Sequence, residues 1–67
     1  MFIKDFDFII PNDTLCEVNI RDTEYNVIDS IRIRFIRIPV KFRKCEIVNL
    51  YPHNHYLIMD CRNTENG

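Results

Sequence analysis

The groups able to do chemistry in this 67-residue chain are few: His53 and His55 on either side of Asn54, cysteines at 16, 45 and 61, and Ser30. Histidine with cysteine is a zinc-type ligand set, but zinc needs four donors converging within a few ångströms. With "PHNH" (52–55) as a hairpin loop, Cys61 lies about five residues away at ~3.3 Å each, too far to join the histidines. A cysteine or Ser30 could pair with either histidine as nucleophile and base. Such catalysis also requires an orienting third group and an oxyanion site on a rigid frame. Asp5 and Asp7 form a carboxylate pair, at a place where a solvated edge is expected. The one glycine is Gly67, which removes the phosphate loop, the dinucleotide-binding turn and the EF-hand loop, since each needs glycine conformations. The chain therefore reads as non-catalytic, with no metal and no cofactor expected.

Charge is the stronger signal. Formal net charge is −1, but residues 1–30 hold seven acids against Lys4 and Arg21. Residues 31–45 hold Arg32, Arg34, Arg37, Lys41, Arg43 and Lys44 with no acid. Two accounts fit. Either the basic strand lies beside the acidic one and the charges meet across a sheet, or the basic segment faces outward and attracts an anionic partner. Nucleic acid is one such partner, with Phe35 or Phe42 available to stack on bases. A sequence pI of about 6.0 is low for a dedicated binder of that kind. A protein is the other, because arginine with Tyr25, Tyr51 and Tyr56 supplies the residue types that dominate interface energetics.

These side chains need elements to hold them. Apolar alternation predicts strands at 14–20, 27–38, 45–51 and 56–61. In 14–20, Cys16, Val18 and Ile20 share a face opposite Leu15, Glu17 and Asn19. Along "VIDSIRIRFIRI", Ile31, Ile33 and Phe35 share a parity, and then Ile36 and Ile38 take the other. Strands alternate strictly, so a bulge or break is expected at Phe35–Ile36, which lets Arg32, Arg34 and Arg37 all face water. Pro39 closes the strand and opens a helical turn over "PVKFRK", with Val40 or Phe42 inward. A four-residue loop sets Tyr51 opposite Tyr56 and gathers Val48, Leu50, Leu57, Met59 and Cys61 on one face. The other face, with Ile47, Tyr51, Tyr56 and Ile58, is unusually apolar and invites a covering element or a second copy. "FIKDFDFII" fits both strand and helix spacing. Residues 1–62 read as one small domain and 63–67 as a disordered tail. No run approaches the ~18–20 apolar residues of a membrane span. Three cysteines without a signal-peptide pattern suggest reduced thiols in a cytoplasm.

The order "IKDF", "TLCEVNI", a central "IP" and "IVNLYP…YLIMD" resembles a group of short proteins from bacteriophages and integrative elements of low-GC Gram-positive bacteria. The resemblance spans most of residues 3–61 on motifs of low specificity. It implies a helix for the first segment, and a cytoplasmic accessory protein that binds and inhibits a host protein, as anti-CRISPR proteins do. The arginine density of 32–37 departs from the group. The expected fold is α+β: a small four-stranded antiparallel sheet, a meander, with one short N-terminal helix. The expected partner-binding residues are Arg32, Arg34, Arg37, Lys41, Arg43, Lys44, Tyr51 and Tyr56, with nucleic-acid binding by residues 32–44 as the alternative. A homodimer would form through an edge strand or the last hairpin.

Overall fold

The computed structural model describes residues 1–62, so the expectation of a disordered tail at 63–67 lies outside the described residues. Four strands dominate: β1 (Leu15–Arg21), β2 (Val27–Arg34), β3 (Glu46–His53) and β4 (Tyr56–Arg62). Helix is scarce. A 3-10 turn covers Ile3–Phe6, another Phe35–Arg37, and α1 is the single turn Val40–Arg43.

The strands form one sheet, but not a meander. Their order is β2-β1-β4-β3, with β1 and β4 parallel at the centre and the outer pairs antiparallel. The connection between β2 and β3 explains the difference. Phe35, Ile38 and Phe42 in that segment are all buried. Burying them requires the chain to run across the sheet's apolar face instead of turning back beside β2. It therefore sets β3 down at the far edge, and β4 returns between β3 and β1. Contacts within each strand pair are readable from local alternation; this crossover is not.

The break expected at Phe35–Ile36 is present one residue earlier: β2 ends at Arg34, four residues before Ile38, and a 3-10 turn over Phe35–Arg37 stands in place of a bulge. Phe35 and Ile38 turn inward while Ile36 and Arg37 turn out. Pro39 caps α1 instead of occupying its first position, and Phe42, not Val40, is the buried residue of that turn. The N-terminal segment is a shorter helix than expected. The Asp5 carboxylate accepts from the Phe2 N–H at 2.8 Å and ties its first turn. Ile3 is buried, Phe6 and Ile10 pack on the core, and Phe8 and Ile9 are left in water.

The last hairpin needs two corrections. His53 pairs with Tyr56, so the loop is Asn54–His55 alone and Tyr51 faces Ile58, not Tyr56. Asn54 supplies the left-handed backbone (φ 57°) that glycine usually provides, which asparagine tolerates best among the other residues. A shift of two residues preserves faces, so Leu50, Leu57, Met59 and Cys61 keep the face they were assigned. Val48 does not: a bulge between Ile47 and Asn49 makes it the extra residue, and Ile47 packs on the core in its place. The core cluster is Ile3, Cys16, Val18, Ile20, Phe35, Ile38, Phe42, Met59 and Cys61.

Candidate protein-docking surface

The face of the sheet opposite the core carries the polar chemistry. Register across the four strands aligns Ser30, Asn19, Asp60 and Asn49 in one row. Asn19 Nδ2 donates to Asp60 Oδ1 at 3.2 Å and to Glu17 Oε2 at 3.1 Å, and Ser30 Oγ donates to Asn19 Oδ1 at 2.7 Å. Tyr25 covers the row. Its hydroxyl donates to Asp60 Oδ2 at 3.5 Å and accepts from Asn49 Nδ2, and its ring stacks on the Arg21 guanidinium at 4.2 Å. Arg21 Nε lies 3.2 Å from Asp60 Oδ1. Asp60 is 2% exposed, and a buried carboxylate must be paired in this way to be tolerated.

Tyr25 reaches this position from a left-handed backbone, φ 67°, which is strained for an aromatic residue. Its loop is locked by Asp22, whose carboxylate accepts the N–H groups of Glu24 (2.9 Å) and Asn26 (2.8 Å). No sequence signal marks this network, because Asn19 and Asp60 meet only through the parallel β1–β4 pairing. A cavity of about 400 Å³ beside it is lined by Arg21, Asp22, Thr23, Tyr25, Val48 and Arg62.

The six basic residues separate into two groups. Arg32 Nε donates to Glu17 Oε1 at 2.7 Å and lies 4.8 Å over the Tyr56 ring. That hydrogen bond, helped by Asn19, holds the Glu17 carboxyl below its ordinary range and raises Arg32 above its own. Lys41 lies 3.5 Å from Asp29. Arg43 is a structural clamp, its side chain 17% exposed. It donates to the carbonyls of Phe35 (2.6 Å) and Ile38 (3.0 Å) and to Asp7 Oδ1 (2.7 Å), with the Phe35 ring 5.0 Å beneath. Each of these three is neutralised by an acid of the N-terminal half. Arg34, Arg37 and Lys44 are exposed and make no ion pair among the described residues. The first account thus holds for Arg32, Lys41 and Arg43, while Arg34, Arg37 and Lys44 face water without an acid beside them among the described residues.

The tyrosines separate too. Tyr51 is exposed, whereas Tyr56 is half-buried under Arg32. Ile58 is buried, and Ile47 faces the core, so the apolar second face expected of the last hairpin is largely consumed. Sequence reasoning missed Phe8, which is fully in water, and Ile36, more than half exposed. They line one open cavity of about 470 Å³ with Asp7, Asn12, Phe35 and Arg43. Ile36 lies directly between Phe35 and Arg37 in the 3-10 turn, so an apolar residue and unspent arginines share one short stretch of surface.

The two buried thiols offer little reactivity. Burial pushes Cys16 up to about 11, and burial with the neighbouring Cys45 and Asp60 pushes Cys61 up to about 12. Both stay protonated at neutral pH, and the thiolate is the nucleophile. His53 is at the hairpin tip, at the opposite end of β4 from Cys61. Among the described residues no three His, Cys, Asp or Glu side chains converge as metal ligands, and no helix is long and apolar enough to cross a membrane. No family model, curated protein or solved structure matches this chain.

Proposed function

We propose that this chain is a non-catalytic binding protein that docks on an acidic protein surface through Arg34, Arg37, Ile36 and Phe8. The supporting observation is the unspent pair of arginines flanking an exposed apolar residue. A folded chain with acids to spare leaves Arg34 and Arg37 without an ion-pair partner among the described residues, while it neutralises Arg32, Lys41 and Arg43. Exposed apolar side chains rimmed by charge are the usual composition of a protein interface. The resemblance to phage and mobile-element proteins supplies the biological setting: a counter-defence inhibitor of a host protein, acting in the host cytoplasm.

Nucleic-acid binding is disfavoured because Phe35 and Phe42 are buried and offer no stacking platform, and half of the cations are already paired. Immobilised protein is exposed to bacterial lysate before and after nuclease treatment, with a salt gradient for elution. The proposal expects a discrete protein that survives nuclease and elutes as salt rises. Retention of nucleic acid, lost on nuclease treatment, would overturn it.

A further inference from the structure

We infer that the outer edge of β2 takes up an extended segment of the protein partner, alternating acidic and apolar residues, as a fifth strand. The inference rests on the protein-binding reading above and names the chemistry of what binds.

β2 is the end strand of the sheet. The direction of its backbone groups follows from two hydrogen bonds. Phe35 N–H donates to the Thr14 carbonyl at 2.8 Å, extending the Leu15↔Arg34 register by one pair. Bonded pairs alternate in an antiparallel ladder, so Ile33 and Ile31 also bond β1. Ser30, Arg32 and Arg34 aim their N–H and C=O groups away from the sheet. Independently, Ser30 N–H donates to Asp29 Oδ1 at 2.9 Å, a bond possible only if that N–H points outward.

The two edges are treated differently. Along β3, Met1 accepts from Ile47 N–H at 2.6 Å, Phe2 bridges Glu46, Val48 is bulged, and Pro52 sits in the strand. These are standard obstructions to a further strand on an edge: a covering segment, a kink and a missing donor. The Ser30–Arg34 stretch of β2 has none of them. Among the described residues its cover is the Asp29 carboxylate, whose Oδ1 stands where a neighbouring strand's carbonyl would lie and whose Oδ2 is 3.5 Å from the exposed Lys41 ammonium.

Side-chain alternation fixes the composition of the segment. Arg32 and Arg34 project on the polar face; Ile31 and Ile33, packed at the margin of the core, lie on the other. The residue opposite Arg34, which pairs with no acid among the described residues, is acidic; Arg32 already holds Glu17 and adds only its exposed remainder to the same face, and residues beside the isoleucines are apolar. A second copy fits less well. Pairing two β2 edges about Ser30 or Ile31 sets the arginines against Ile28 or Ser30 and supplies no acid.

The full chain is titrated with a blocked heptapeptide, Thr-Val-Glu-Val-Glu-Val-Thr, by NMR. Binding should newly protect the Arg32 and Arg34 amides from hydrogen exchange. Replacing both glutamates by lysine should weaken it about tenfold or more. N-methylation of one alternate set of peptide residues should weaken binding about tenfold, and of the other set less than about twofold, because only one set faces β2. D29A should tighten binding by freeing Ser30 N–H. Equal effects of the two methylated sets, or no new protection in β2, would overturn the inference. If that happens while a nuclease-resistant protein still elutes from the immobilised chain, docking runs through side chains alone and the protein-binding reading stands.

Discussion

Removing Arg43 separates a basic residue that holds the fold from those that do not. Arg43→Ala deletes two charge-assisted bonds to the Phe35 and Ile38 carbonyls and one to Asp7, and uncovers the Phe35 ring. Bonds from a charged donor contribute about 1.5–3 kcal/mol each, less where water can replace them. At 17% side-chain exposure water replaces them only partly. The expected loss is about 2–4 kcal/mol, against a total of about 3–10 kcal/mol for a chain of this length. That corresponds to a fall in Tm of about 10–25 °C. Arg43→Lys keeps the charge but not the fork that reaches two carbonyls and a carboxylate together, and should recover less than half the loss. Urea unfolding followed by far-UV circular dichroism, with Arg37→Ala alongside, measures this. Arg37→Ala should stay within about 0.5 kcal/mol of the parent. Equal midpoints for Arg43→Ala and Arg37→Ala would refute the division of the basic residues.

Other outcomes follow from the same geometry. Asp60→Ala removes the acceptor shared by Asn19 and Tyr25 and the carboxylate that pairs with the largely buried Arg21 guanidinium; it should cost about 2–4 kcal/mol in the same unfolding assay. The thiols of Cys16 and Cys61 titrate higher when folded (about 11 and about 12) than their ordinary 9.0, so their contribution is full below pH 9 and lost as pH rises towards those values. Thermal scans from pH 8 to 11 should show that fall, reduced in a Cys16→Ala/Cys61→Ala background. Glu17 behaves oppositely. Its depressed carboxyl stabilises above its ordinary 4.5 and loses that contribution as pH falls, so Glu17→Gln should flatten acid unfolding. Phe8→Ser should leave the unfolding free energy within about 0.5 kcal/mol and lower binding of a hydrophobic dye, since the ring is entirely in water.

Much of the sheet was legible because strand faces follow a two-residue period. The inward set Cys16, Val18 and Ile20, the break near Phe35 and the pairing of the last two strands as a hairpin all come from local alternation. Strand order was not legible. It depends on where the segment carrying Phe35, Ile38 and Phe42 lies down, a long-range packing choice. The Val48 bulge escaped because Ile47 and Val48 are equally apolar, so either suits the core face. The Ser30–Asn19–Asp60–Asn49 row was invisible for the same reason as strand order: its members are polar residues on a nominally wet face, united only by the parallel pair. Among the candidate site residues, sequence placed Arg32, Arg34 and Arg37 in water correctly. It could not tell which cations would find acids, since Asp7 reaches Arg43 across 36 positions.

The double charge reversal Arg34→Glu/Arg37→Glu tests the docking surface most directly. The variant should melt within a few degrees of the parent, because neither arginine pairs with an acid among the described residues, and should no longer retain the nuclease-resistant protein held by the parent. A variant that folds normally and still holds that protein would contradict the account.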